Sequence, residues 1–241
     1  MSNILITICA RGGSKGVPKK NIKKLCGFPM IYYSIKIAKD FLKDKKGVIV
    51  LSTDCEEIKK VAKDYGLLSD YTRPAKLASD HAGKVDVIKD VLMFEERKTD
   101  VSFDFILDLD ITSPLRTLSD LNNSFKIIQN DKEALNIFSV SKSKKNPYFN
   151  MVEQKGVYFK KVKEINDVKT RQSAPVVYDM NASFYFYTRK FFNERFDTVF
   201  TNKTLVYELT HECFDIDEPI DFIIMEYLLK NNFLKIKLWI F

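Results

Sequence analysis

Residues 8–27, ICARGGSKGVPKKNIKKLCG, hold four of the chain's eight glycines beside Arg11, Lys15, Lys19 and Lys20. Gly12, Gly13 and Gly16 lack a Cβ, so the backbone can reach positive φ there and its N–H groups can approach an anion closely. With the cations, that composition describes a polyphosphate cradle; it also fits a flexible basic surface loop. The loop is neither G-x-x-x-x-G-K-[ST] nor a G-x-G-x-x-G that opens a helix, because residues 12–17 read GGSKGV and Pro18 intervenes. Far along the chain, Asp215 and Asp217 flank Ile216. On an extended segment, both carboxylates face one side while Ile216 faces inward. Magnesium takes one or two such carboxylates and completes its octahedron with water and phosphate oxygens. The plainer reading is that Asp217 caps a helix begun by Glu218-Pro219.

The elements that must position these groups alternate. Residues 3–9, 47–52 (GVIVLS) and 103–109 (FDFILDL) are apolar runs of strand length. Amphipathic segments follow them at 30–42, 56–65, 83–96 and 119–129; the first sets Ile31, Ser34, Ile35, Ala38 and Leu42 on one face. Strands separated by such helices imply right-handed crossovers. The expected fold is a three-layer α/β/α, Rossmann-like, doubly wound arrangement with a mostly parallel sheet. Ligands on such sheets bind beyond the carboxyl ends of the strands, where the glycine-rich loop lies. The alternation stops over residues 141–178, read as short strands and exposed loops in an excursion that meets a second subunit. Residues 182–188 then form a strand and 218–229 a helix. The chain is read as one domain over 1–230 with that excursion inserted, followed by a tail at 231–241; residues 233–241 alternate like an edge strand.

The 241 residues are 45% hydrophobic and 29% charged, as expected of a folded globular protein. The apolar stretch 222–241 is broken by Glu226, Lys230, Asn231, Asn232, Lys235 and Lys237, so it does not span a membrane. Residues 1–9 lack a basic start and a small-residue cleavage site, which leads us to expect a cytoplasmic protein. Cys9, Cys26, Cys55 and Cys213 form no C-x-x-C pair, arguing against structural zinc and a disulfide framework. The net charge of +7 invites a nucleic-acid reading, but the lysine runs alternate with acids and no recognition motif accompanies them. His81 and His211, the only histidines, stand in no nucleophile pattern and read as structural or peripheral.

Five blocks in order resemble the acylneuraminate cytidylyltransferase (CMP-sialic acid synthetase) family. ARGGSKGVPKKN matches its A-R-x-x-S-K-G-x-x-x-K-N motif, and it is followed by STDCEEIKKVAKDYG, RPAKLASD, TSPLR and FDIDEPID. The resemblance spans residues 3–230. It implies an enzyme that joins CTP to a nonulosonic (nine-carbon α-keto) acid, giving a CMP-sugar and pyrophosphate, with Mg²⁺ at Asp215 and Asp217 and a homodimeric assembly. Arg11, Lys20 and Asn21 would contact the triphosphate, with Gly12, Gly13, Ser14 and Lys15 in the same loop. Arg73, Ala82 and Lys84 would lie on the nucleotide side, Arg73 near the base or else as a plain helix-flanking cation. Lys142 and the Arg171-Gln172 pair are candidates for the acceptor's carboxylate, with solvated surface charge as the alternative.

The departures carry information about the acceptor. Asp110 stands where sialic-acid-activating members carry glutamine, and Asp179, two before Asn181, where they carry arginine. Lys84 replaces a small hydroxyl residue. A carboxylate accepts hydrogen bonds and repels another carboxylate. Asp110 and Asp179 are therefore read as facing donor-rich parts of the acceptor, with Asn181 also on the acceptor side, which favours legionaminic acid over pseudaminic acid, N-acetylneuraminate or an octulosonate; Asp110 could instead join the metal. A nucleotidyltransferase of similar fold acting on another sugar acid, and a non-enzymatic basic binding module, are the competing readings.

Overall fold

The computed structural model describes residues 2–13, 16–165, 168–234 and 236. Its elements run β1 (Asn3–Cys9), β2 (Lys24–Leu25), β3 (Phe28–Pro29), α1 (Met30–Leu42), β4 (Lys46–Ser52), α2 (Glu56–Asp64), α3 (Lys84–Thr99), β5 (Phe105–Leu109) and α4 (Leu118–Asn130). They continue with β6 (Asn136–Lys142), β7 (Val152–Lys155), β8 (Tyr158–Lys161), β9 (Tyr178–Thr188), α5 (Arg189–Asn193), β10 (Thr204–Glu208) and α6 (Pro219–Lys230). The main sheet has the order β10-β6-β9-β5-β1-β4. β9 runs antiparallel to both its neighbours, and the β4-β1-β5 and β10-β6 pairings are parallel.

The strands bury both faces, as the continuous apolar runs require. Ile4, Ile6 and Ile8 of β1 join Leu107 and Leu109 of β5 and Phe184 and Phe186 of β9 in one core, which α1, α2, α4 and α6 cover. Leu5, Ile106, Tyr185 and Tyr187 point the other way into a second core under α3 and α5. These are the three layers expected, with strand ends shifted by a few residues. β6, α5 and β10 were not anticipated. β6 and β10 run on from polar turns, and their pairing with β9 and with each other is a long-range choice. Residues 143–177 leave the sheet, and β7 and β8 form a separate antiparallel hairpin there. Among the described residues no helix is long and apolar enough to cross a membrane. The expected edge strand at 233–241 falls largely outside the described residues, although Ile236 is buried.

A register break interrupts the β6–β9 ladder. Phe138 pairs with Tyr185, but Val140 pairs with Met180, so β9 carries three extra residues over that interval. Ala182 takes φ 53° within it, a left-handed conformation that costs an alanine free energy and persists only when its surroundings hold it. They do: Ser139 Oγ donates to Asn181 Oδ1 (2.6 Å) and accepts from Phe184 N (3.2 Å), and Asn181 Nδ2 donates to Ser141 Oγ (2.9 Å).

Arg116, the largest fully buried side chain among the described residues, ties this bulge to the strand ends. Its Nη1 donates to the carbonyls of Ser113 (2.9 Å) and Ser183 (2.5 Å), and its Nη2 to Ser34 Oγ (2.6 Å) and the Asp110 carbonyl (2.8 Å). Burial pulls its pKa down to about 10, against attraction from Asp110, so it remains a cation at neutral pH. Arg116→Lys cannot span these acceptors with one ammonium and leaves buried carbonyls unpaired at about 1–3 kcal/mol each. We expect a melting temperature lower by roughly 5–15 °C on thermal denaturation, at about 2–4 °C per kcal/mol for a chain of this size.

Candidate active site

The glycine-rich loop leaves the carboxyl end of β1 and is held at several points. Ala10 N donates to the Ser52 carbonyl (2.9 Å), Gly12 N to Asp54 Oδ1 (2.9 Å) and Asn21 Nδ2 to the Arg11 carbonyl (2.9 Å). Val17 is fully buried beneath it. Asn21 therefore shapes the loop through its carboxamide. Gly16 lies so close to the segment before α6 that a Cβ on it would come within 2.0 Å of the Asp217 carbonyl oxygen. Lys20 reaches across the same contact, with Nζ donating to the Ile216 carbonyl (2.6 Å) and lying 3.3 Å from Asp217 Oδ1. Lys19 turns outward to Glu57 (2.8 Å), whereas Arg11 Nη1 meets Asp80 Oδ1 at 2.5 Å. Ser14 and Lys15 lie outside the described residues.

Asp215 and Asp217 meet the loop from α6. Ile216 is fully buried and its N–H donates to the Thr112 carbonyl (2.9 Å), as the alternating pattern required. The helix cap does not use the Asp217 carboxylate. Glu218 is the N-cap, Pro219 opens the helix, and Asp221 Oδ2 accepts from the N–H groups of Asp217 (3.0 Å) and Glu218 (2.8 Å). Asp217 is thus left exposed beside Lys20. Asp215 Oδ1 is buried with no hydrogen-bond partner. Burial, then repulsion from Asp110, raises the Asp215 pKa to about 6; Asp217 adds to this, while Ser113 and Lys84 oppose it. A buried orphan oxygen among like charges fits a divalent cation, which Asp215 and Asp217 would hold as two carboxylates, with phosphate oxygens and water completing its shell.

Lys84, the first residue of α3, supplies the opposing charge. Its Nζ donates to Asp108 Oδ2 (3.0 Å) and Asp110 Oδ2 (2.9 Å), and lies 4.7 Å from the centre of the Tyr185 ring. Asp108 is fully buried and takes a second bond from Thr7 Oγ1 (2.7 Å). Asp110 Oδ1 accepts from Thr112 N (3.0 Å) and Oγ1 (2.9 Å). Burial alone would raise the Asp110 pKa, but attraction to Lys84 and these hydrogen bonds hold it at about 2. Asp110 therefore faces the cleft as half of an ion pair. Asp108 and Thr7 were missed in the sequence. The period-two argument applied to Asp215 and Asp217 would have found Asp108, since Asp108-Leu109-Asp110 has the same spacing.

Two adjoining hollows share Cys9, Arg11 and Asp110. One is completed by Gly16, Lys20, Asn21, Thr112, Asp217 and Glu218, the other by residues including Arg73, Ala82 and Lys84. The first adds Lys20 and the carboxylates of Asp217 and Glu218. The second is lined by a fixed Arg73, whose Nε and Nη2 donate to Ser52 Oγ (3.0 Å) and the Ser52 carbonyl (2.9 Å). The remaining expected residues are not gathered there. Asn181 is committed to the β9 bulge, while Lys142, Arg171, Gln172 and Asp179 are exposed along the outer part of β6–β9 and the loop before it. Gly16→Ala must push the loop away from Asp217. We expect turnover to fall at least tenfold, the scale of an ångström-level misplacement, with secondary structure by circular dichroism unchanged.

Known proteins resemble this chain in sequence and in fold. The profile of the family described as cytidylyltransferase matches residues 5–237. The chain is 43% identical over 239 residues to "Post-translational flagellin modification protein B" of Campylobacter coli, covering 98% of this chain and 99% of that one. It is 42% identical over 234 residues to "CMP-N,N'-diacetyllegionaminic acid synthase" of Campylobacter jejuni, covering 96% and 97%. In fold it resembles a CMP:2-keto-3-deoxy-manno-octonic acid synthetase solved with CTP, at a TM-score of 0.69 and 16% identity, covering 96% of this chain and all of that one.

Proposed function

Because the chain belongs to the cytidylyltransferase family and is a nucleotidyltransferase, we propose that it transfers CMP from CTP to a nonulosonic acid of the N,N'-diacetyllegionaminic type, releasing pyrophosphate. The observation that carries the site is the Asp215–Asp217 segment, seated against a glycine-rich loop with one carboxylate oxygen buried and unpartnered and the other carboxylate beside Lys20. The triphosphate lies along that loop, with Arg11 and Lys20 neutralising it, and the nucleoside occupies the hollow lined by Arg73, Ala82 and Lys84. Ser14 and Lys15 belong to the same loop. Mg²⁺ held by Asp215 and Asp217, when bound, neutralises charge that develops on the phosphoryl oxygens.

The acceptor's anomeric hydroxyl attacks the α-phosphorus: its oxygen forms the new P–O bond as the bond from the α-phosphorus to the bridging oxygen breaks, pyrophosphate leaves and the hydroxyl proton passes to solvent. Lys20, fixed by the Ile216 carbonyl, is pre-oriented for the charge that builds there, so little reorganisation accompanies the reaction. Lys142, Arg171, Gln172 and Asp179, exposed on the outer part of β6–β9 and the loop before it, are proposed to act on the acceptor side. The β7–β8 hairpin displays Val157, Tyr158 and Phe159, at 81%, 75% and 65% exposure. Such aromatic surface favours an interface, and supports a homodimer in which residues 141–178 cross toward the partner. A cytoplasmic location and the absence of a nucleic-acid partner belong to the same reading.

Asp217→Ala should lower turnover a hundredfold or more, and excess chelator should abolish it; full activity in chelator overturns the metal site. Competition between N-acetylneuraminate, pseudaminic acid and N,N'-diacetyllegionaminic acid should give the last the highest kcat/KM, because an unmatched amide leaves a buried group unpaired. A preference for either of the others moves the acceptor to that sugar. Light scattering at micromolar concentration should return a dimer.

A further inference from the structure

The segment between β10 and α6 carries the Asp215 and Asp217 carboxylates, and it crosses open ground between two ordered ends. Leu209 N donates to the Val140 carbonyl (2.8 Å) where it leaves β10, and Ile216 N donates to the Thr112 carbonyl (2.9 Å) where it reaches the site. Midway, Cys213 Sγ touches Ser113 Oγ (3.3 Å). Between these ends, His211 anchors the segment to α4. Its Nε2 lies 2.9 Å from Asp120 Oδ2 and its Nδ1 3.0 Å from the Glu212 carbonyl. Both side chains of the pair are about nine-tenths buried.

Asp120 is itself fixed. It is the third residue of α4, and its Oδ2 also accepts from Thr117 N (2.7 Å) and Thr117 Oγ1 (2.6 Å), while Tyr207 OH donates to Oδ1 at 3.4 Å. Thr117 directly follows Arg116, so α4 begins where the buried guanidinium has pinned the turn that carries Asp110 and Thr112. His211 thereby references the carboxylate segment to the same turn from which the site is built.

We propose that His211, through Asp120, is a positioning residue that holds Asp215 and Asp217 at the distance from Asp110 and the glycine-rich loop that metal and triphosphate binding require. This rests on the reading of Asp215 and Asp217 as the metal carboxylates. Both ring nitrogens of His211 face atoms that only accept hydrogen bonds, a carboxylate and a carbonyl, so only the doubly protonated ring satisfies both. Burial is the largest single influence and disfavours that charge, but the hydrogen bonds to Asp120 and the Glu212 carbonyl, with attraction to both acids, together outweigh it and raise the His211 pKa. Glutamine retains a donor near the Nε2 position without the charge, whereas alanine removes it.

The test compares wild type, His211→Ala, His211→Gln and Asp217→Asn. One readout is the MgCl₂ concentration for half-maximal turnover of CTP with N,N'-diacetyllegionaminic acid; the other is hydrogen exchange at the Ile216 and Leu209 amides. His211→Ala should raise the half-activating MgCl₂ concentration about tenfold, the low end for an outer partner of a metal ligand. The KM for CTP at saturating MgCl₂ should stay within about twofold. Exchange at Ile216 should quicken while Leu209, beyond the anchor, stays protected, and His211→Gln should recover most of both effects. A lower melting temperature with unchanged Ile216 exchange and unchanged MgCl₂ response makes His211 merely structural and overturns the proposal. If Asp217→Asn leaves MgCl₂ activation untouched, the metal reading falls instead, and Ile216 exchange alone then decides whether His211 positions the segment.

Discussion

The guanidinium of Arg116 organises everything at the carboxyl end of the sheet. It lies fully buried and donates to the carbonyls of Asp110, Ser113 and Ser183 and to the hydroxyl of Ser34. Those acceptors come from the turn after β5, the bulge of β9 and the middle of α1. The Arg116 Nε has no hydrogen-bond partner among the described residues, so the two terminal nitrogens carry the arrangement, and breaking it leaves several desolvated acceptors at once. The turn carrying Asp110 and Thr112 is therefore rigid. The segment bearing Asp215 and Asp217 docks on that turn through the Ile216 N–H.

Around this scaffold the site concentrates negative charge and then divides it. Lys84 pairs with Asp108 and Asp110, two carboxylates on alternate residues of one strand and its end, and its attraction helps hold the Asp110 pKa at about 2 against burial. Asp215 has no such cation, and its pKa is pushed up to about 6. The paired acids build the cleft wall, and the unpaired one has an oxygen with no protein partner. Lys20 and Arg11 approach from the opposite side of the cleft on a loop whose closest approach, at Gly16, admits no side chain. Charge neutralisation and positioning are what phosphoryl transfer asks of a protein.

The excursion of residues 143–177 answers a different demand. It contributes nothing to the main sheet, and its hairpin turns Tyr158 and Phe159 to solvent. Exposed aromatic clusters of this kind are uncommon on isolated monomers. Lys142, Arg171, Gln172 and Asp179 sit on or beside this excursion, whereas Asp110, read in the sequence together with them, lines both hollows at the carboxyl end of the sheet.

Much of this was legible in the residues themselves. Strand and helix type follow from local periodicity, so β1 and α1 were read with the bounds observed, and glycine and charge in residues 8–27 located the loop. The Asp215-Ile216-Asp217 alternation correctly put Ile216 in the core, because side-chain direction along an extended segment is a local property. Three things were not local. The β6–β9 register break depends on which serines and asparagine meet across the sheet, and it turned Asn181 into a buried strut. The state of Asp110 depends on Lys84, 26 residues away, which converts a free carboxylate into half of an ion pair. The pairing of His211 with Asp120, 91 residues apart, gave a residue in no motif a fixed partner. Sequence determined which groups were available and which face each would take; tertiary packing decided which charges neutralise one another, because that depends on distances across the fold that no local pattern encodes.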